Sequence, residues 1–149
     1  MSVSAIEGRA HVFGDSIDTD MLAPGAYMKK PLAEMARHCL EAIDPGFVGR
    51  IERGDVVVAG RQFGCGSSRE QAAAALLENG IGCVVAVSFA RIFYRNALNL
   101  GLPALVCATA GEIRPGARLR IDPRAGSIEE LDGGGIHHCE PIPEHLMRM

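Results

Sequence analysis

The sequence predicts a layered α/β domain with a mixed, mainly parallel sheet and an appended hairpin. Three observations lead there. Three short runs, Val56–Ala59, 83–87 and 104–107, are apolar, rich in β-branched residues and bounded by Gly, Pro or charge, which is how strands covered on both faces read. Two stretches with helical periodicity separate them, giving consecutive strand-helix-strand units whose crossovers favour parallel pairing. The length of 149 residues suits one domain over 1–149, since domains usually hold about 100 to 200 residues.

Each element has its own signal. Residues 31–43 read as a helix with Leu32, Met35, Ala36, Cys39, Leu40 and Ile43 on one face, closed by Asp44-Pro45-Gly46, its apolar stripe expected to cover the sheet. SSREQAAAALLENG, residues 67–80, has a Ser-Ser-x-Glu start, an Ala/Leu body and an Asn-Gly end, a capping-box opening and a glycine stop. FARIFYRNALNLG, residues 89–101, is apolar at Phe89, Ile92, Phe93, Ala97 and Leu100. ARLRID and SIEEL alternate around PRAG as a hairpin. The final EPIPEHLMRM reads as a loosely held tail.

Composition excludes several classes. With 48% hydrophobic and 22% charged residues the chain is not a disordered one. Fifteen basic against eighteen acidic residues leave a charge of −3, without the excess that neutralises a phosphate backbone, so no nucleic-acid partner is expected. No apolar run reaches the ~18 residues of a membrane helix, and MSVSAIEGRA lacks the basic and apolar blocks of a secretory signal. A cytoplasmic protein without membrane attachment is expected. Five dispersed cysteines, Cys39, Cys65, Cys83, Cys107 and Cys139, favour reduced thiols.

The chemistry concentrates in GRQFGCGSSRE, residues 60–70, a glycine-rich turn from a buried strand into a helix. Gly64 and Gly66 open backbone conformations closed to other residues, Ser67 and Ser68 stand at the positive helix end, and Arg69 adds a bidentate grip, together an anion site. A plain strand-helix connection capped by one serine and Glu70 is the simpler reading, and it leaves the other Gly, Ser and Arg residues unexplained. A P-loop is ruled out because no Gly-Lys-Ser/Thr follows. Cys65 as a nucleophile lacks a nearby Cys-x-x-Cys partner or histidine base. A serine that removes a proton beside a bound carboxylate uses the whole motif.

A second cluster, GDSIDTDMLAP, residues 14–24, packs Asp15, Asp18 and Asp20 together. The ordered glycine and distant glutamate of an EF-hand loop are missing; the choices are a loop of Asp-turns or an acid that orients a partner in an active site. His137, His138, Cys139 and His145 offer metal-ligand types near the C-terminus but no second pair to complete a four-ligand site, so no metal is assigned to this chain. Arg91 and Arg95 read as a solvated helix face.

GDSIDTDMLAPGAYMKK, GRQFGCGSSREQAAAAL and SFARIFYRNALNLGLP, spanning most of residues 14–103, resemble the small subunits of the 3-isopropylmalate dehydratase family, the swivel-domain half of the aconitase superfamily. The resemblance implies a β/β/α layered swivelling domain that closes over a large subunit carrying a [4Fe-4S] cluster, with a small hydroxy-dicarboxylic acid as substrate. It makes Ser67 the general base and places Asp20 in the active site with Thr19 beside it. Ser68 and Arg69 become carboxylate ligands, and Tyr27, Met28 and Lys29 fall where the family has its specificity loop. The implied reaction is elimination and readdition of water, one iron of the partner's cluster acting as Lewis acid. Gln71, where many members have histidine, and the Met28-Lys29 pair depart from the common pattern and bear on substrate choice. The alternatives are a related hydro-lyase acting on homoaconitate, citraconate, methylmalate or dimethylmalate, and a noncatalytic carboxylate-binding module.

Overall fold

The computed structural model describes residues 5–67 and 69–143. Its strands are β1 (Ile6–Val12), β2 (Val56–Ala59), β3 (Cys83–Ala86), β4 (Ala104–Val106), β5 (Arg118–Asp122), β6 (Ser127–Glu130) and β7 (Gly135–His138). Its helices are α1 (Thr19–Leu22), α2 (Leu32–Ala36), α3 (Phe47–Arg50), α4 (Glu70–Glu78) and α5 (Arg91–Asn99), with single 3-10 turns at Gly25–Tyr27 and Ala110–Glu112. Among the described residues no helix is long and apolar enough to cross a membrane.

All seven strands join one sheet in the order β4-β3-β2-β1-β5-β6-β7. The first four are parallel neighbours; from β1 onward every pairing is antiparallel. The sheet is therefore evenly mixed rather than mainly parallel. The pivot is β1, which matches Ala10 with Val56 of β2 on one edge and Ile6 with Ile121 of β5 on the other. Neither β1 nor β7 stands out in the sequence, because β1 mixes glycine, charge and histidine with few apolar residues and β7 is glycine and histidine around a single isoleucine.

Period-two alternation divides the core. Val57 and Ala59 of β2 face a cluster with Phe47, Phe63, Leu76 and Phe93, where the helices lie. Val56 and Val58 face the other way, toward Val85, Leu105, Leu119, Ile121 and Ile128. Residues of β5 and β6 thus pack against β2, β3 and β4, so the sheet curls into a half-barrel and covers one of its own faces. Such double coverage explains the continuous apolar runs of β2 and β3.

Three elements differ from the sequence expectation. Over 31–43 only Leu32–Ala36 is α-helical; turns follow, Leu40 takes φ +60°, and its amide donates to the Met21 carbonyl at 2.8 Å. A tertiary hydrogen bond has replaced the helical one. Met35, Ala36, Cys39 and Leu40 are still buried; α2 packs on α4, with Asn79 Nδ2 donating to Ala36 O at 2.9 Å, and Ala36, Cys39 and Leu40 join the cluster that Val57 and Ala59 of β2 face. On α5 the buried face is Phe93, Ala97 and Leu98, while Ile92 and Leu100 are exposed. Residues 140–143 are docked: Glu140 N donates to Val106 O at 3.0 Å, Ile142 N donates to Pro123 O at 3.1 Å, and Ile142 is buried. The rest of the expected tail, 144–149, lies outside the described residues.

Candidate functional site

Two segments that lie far apart in sequence are joined where β1 and β2 end. Gly60 N donates to Gly14 O at 3.1 Å, Gly64 N to Ile17 O at 2.7 Å, and Thr19 N to Cys65 O at 2.8 Å, and Asp18 and Cys65 form an isolated parallel bridge. The second segment can follow the first because Gln62, Gly64 and Gly66 adopt φ of +58°, +82° and +103°. Gly64 is also sterically fixed, since a Cβ there would sit 2.3 Å from Phe93 Cβ.

The three acids of the first segment diverge. Asp15 Oδ1 accepts from the Arg61 amide at 2.7 Å, Asp18 Oδ1 accepts from Met21 N at 2.8 Å as the N-cap of α1, and Asp20 Oδ1 receives Arg69 Nη1 at 2.8 Å. The loop reading and the active-site reading of this cluster each describe part of it. Among the described residues no group of three or more His, Cys, Asp or Glu side chains could hold a metal ion. His137, near the C-terminus, has both ring nitrogens engaged, by Glu130 and Thr109; His145 lies outside the described residues.

Four of the predicted residues meet. Thr19 is buried and its Oγ1 lies 3.3 Å from Ser67 Oγ, which faces solvent. Next to it, Arg69 Nη1 donates to both Asp20 Oδ1 and the Ala23 carbonyl, at 2.8 and 3.0 Å. The hydrogen bond from Arg69, then that from the Gly25 amide, holds the Asp20 carboxyl below its usual range. The Asp20 side chain is 68% exposed and that of Arg69 27% exposed, so the pair lies on an open surface.

The capping-box expectation fails. α4 begins at Glu70 with Arg69 as N-cap and no side-chain cap hydrogen bond. The exposed Ser67 hydroxyl has Thr19 as its neighbour and does not close the helix. Ser68 lies outside the described residues. Arg69 is not a wholly free grip either, because Asp20 and Ala23 already occupy one of its nitrogens. Cys65 is half-buried and contributes backbone to the bridge with Asp18.

The Tyr27-Met28-Lys29 loop starts from this same cluster, since Gly25 N donates to Asp20 Oδ1 at 2.9 Å. Tyr27 and Met28 are half-buried and Lys29 is exposed. The Tyr27 ring stacks on His38, centroids 3.7 Å apart and 2° from parallel, and His38 Nδ1 pairs with Glu41 Oε1 at 2.7 Å. His38 is a residue the sequence reading did not select; its neighbours there show nothing but an amphipathic helix.

A mixed α/β sheet with this glycine-rich strand-to-helix turn lies within reach of one known domain class: the Aconitase C-terminal domain model matches residues 38–109, which include the turn. The chain is 49% identical to 3-isopropylmalate dehydratase small subunit 1 of Methanopyrus kandleri, over 97% of this chain and 86% of that protein. It is 44% identical to the methanogen homoaconitase small subunit of Methanothermobacter thermautotrophicus, over 95% and 83% of the two chains. The crystal structure of 3-isopropylmalate dehydratase from Methanocaldococcus jannaschii superposes with a TM-score of 0.90 at 44% identity, covering 96% of this chain and 86% of that one. The chain belongs to the 3-isopropylmalate dehydratase small-subunit family.

Proposed function

We propose that this chain is the small subunit of a hydro-lyase that interconverts 2-isopropylmalate and 3-isopropylmalate by dehydration and rehydration in leucine biosynthesis, in the cytoplasm. Residues 1–149 act as one layered swivel domain that closes over a large subunit. The observation that carries this reading is that Ser67, Asp20 and Arg69 converge on an open surface with Thr19 buried behind Ser67, the arrangement of one wall of a site rather than a whole one. Excluding water from the reacting atoms, which strengthens every charge interaction there, requires the partner to supply the other wall.

In this reading the [4Fe-4S] cluster belongs to the large subunit. The residues of this chain do not fit it: Cys39, Cys83 and Cys107 are buried, Cys65 lies in the turn, Cys139 is at the far seam, and among the described residues no group of three or more His, Cys, Asp or Glu side chains could hold a metal ion. What the chain contributes is proton transfer and substrate orientation. Ser67 Oγ, as the alkoxide, takes the α-proton, and the Thr19 hydroxyl 3.3 Å away donates to that oxygen before the transfer. Arg69, pinned by Asp20 and Ala23, presents the remainder of its guanidinium fork to a substrate carboxylate together with Ser68 and the uncapped amides of α4. Pinning lowers the reorganisation needed when charge develops. Tyr27, Met28 and Lys29 contact the variable substituent of the diacid.

A related diacid is the second reading, supported by the 44% identity to a homoaconitase small subunit. The test is hydration by this chain mixed anaerobically with its cluster-loaded large partner, over isopropylmaleate, citraconate, homoaconitate and dimethylmaleate. Isopropylmaleate is expected to react fastest, with the isolated chain inactive. A different leading diacid transfers the same chemistry to that substrate; a stable complex with no activity on any of them overturns the enzymatic reading.

A further inference from the structure

The two edges of the curled sheet meet at a pair of cysteines that the proposed reaction does not use. β4 forms one edge and β7 the other; the chain leaving β7 returns to β4, where Glu140 N donates to Val106 O at 3.0 Å. Cys107 directly follows Val106 and Cys139 directly precedes Glu140, so this one backbone hydrogen bond brings both cysteines to the seam, where Cys139 packs against the buried cluster that contains Cys107. Behind them runs a chain of side chains: Cys107 Sγ lies 3.6 Å from Thr109 Oγ1, Thr109 Oγ1 lies 2.9 Å from His137 Nδ1, and His137 Nε2 lies 2.8 Å from Glu130 Oε2. Glu130, His137 and Cys107 are buried, whereas Cys139 is half-buried and lines an open depression of about 500 Å³ with Val87, Ala108 and His138.

We propose that Cys107 and Cys139 are a redox-modified dithiol site, oxidised by a small peroxide to a disulfide across the seam where the sheet edges meet. The inference does not depend on the proposed dehydratase activity. Beside this geometry, the neighbouring Cys139, then the Thr109 hydrogen bonds and the charge of His137, lower the Cys107 thiol against the opposing effect of burial, while Cys107 and burial raise the Cys139 thiol. Cys39, by contrast, is pushed up to about 12 by burial, and Cys83 is raised by the same cause, so neither competes as a thiolate.

The step balances with hydrogen peroxide as oxidant. The Cys107 thiolate acts as base and takes the Cys139 proton, and the Cys139 sulfur, at the wall of the depression, attacks one peroxide oxygen; the O–O bond breaks, hydroxide leaves and a sulfenic acid forms. Cys107 then attacks that sulfur, the S–S bond forms, the S–O bond breaks, and the thiol proton leaves with the oxygen as water. Two sulfurs are oxidised by one electron each and two oxygens are reduced by one each.

The test treats the full chain with hydrogen peroxide, alkylates free thiols after unfolding, and maps peptides by mass. A linked pair joining Cys107 to Cys139, with Cys39 and Cys83 still alkylated, is expected. Cys139→Ala is expected to leave Cys107 alkylatable. Oxidation of Cys65 with both seam thiols still alkylatable would overturn the proposal. So would Cys139 reaching the sulfinic acid while Cys107 stays reduced, or a link that forms only in the unfolded chain.

Discussion

Two aspartates stand near opposite ends of β2 and have been put to opposite uses. Asp55, directly before the strand, is buried; its carboxylate accepts from the Arg9 and Glu52 amides at 3.0 Å each and pairs with His11 Nε2 at 2.8 Å. Asp20, which meets the turn leaving the strand, is exposed and holds a single arginine and one amide. A buried carboxylate with every oxygen engaged fixes architecture, because losing it strands its partners in a low-dielectric interior. An exposed one adds little to stability, so the placement of Arg69 is what it contributes. The difference also follows strand direction: in α/β sheets ligands gather beyond the carboxyl ends of parallel strands, where β1 and β2 deliver segments 14–20 and 60–69.

The sharpest separation of the two ends comes from Ser67→Ala, expected to lower kcat of the assembled enzyme roughly 10²- to 10⁴-fold while leaving the unfolding midpoint where it was; an active variant would break the base assignment. Gly64→Ala tests the same turn from the structural side. Its Cβ would collide with Phe93 at φ +82°, and urea unfolding should register a loss of about 3 kcal/mol. At the other end of the strand, Asp55→Ala is expected to cost about 3 kcal/mol by stranding two amides and the His11 ring.

Asp55 also carries a pH signature. Burial alone raises its carboxyl, but the hydrogen bonds from Glu52, His11 and Arg9 outweigh that and hold it below the usual range. With the folded value depressed, its stabilisation is complete above the unfolded carboxylate's pKa of about 3.9 and is lost as pH falls through the lower folded value. The stability difference between the parent chain and Asp55→Asn should therefore shrink in that acid window, as followed by denaturant midpoints against pH. Asp20→Asn should change stability by less than about 1 kcal/mol and lower activity about tenfold by releasing Arg69. The smallest effect belongs to His38→Ala: removal of a stacking partner worth about 1 kcal/mol should alter KM ratios among diacids more than kcat, and His38→Phe should restore them.

The parts of the molecule that were legible beforehand are those whose information is local. β2, β3, α4 and the glycine turn announce themselves because double burial makes a continuous apolar run and because positive-φ positions need glycine. β1 was hidden by its own partners: IEGRAHV alternates Gly, Arg and His and becomes a strand only between β2 and β5. The expected helix over 31–43 was cut short by the Met21 carbonyl, a contact that periodicity cannot express. In the site, Ser67 and Arg69 could be chosen from the chemistry of one turn. Their meeting with Thr19 and Asp20 could not, since spacing says nothing about which loops join; family resemblance supplied it, and the occupation of Arg69 by Asp20 emerged only in three dimensions.

The pairing of Ile6 with Ile121 has a consequence for biosynthesis. β1 is synthesised before both of its neighbours in the sheet and completes its hydrogen bonding on one side only after β5 has been made. Until then β1 exposes an open edge, which is a template for pairing with other nascent chains. Non-local closure of this kind slows folding, and a growing chain of this protein is most vulnerable to aggregation in the interval between the emergence of β4 and that of β5.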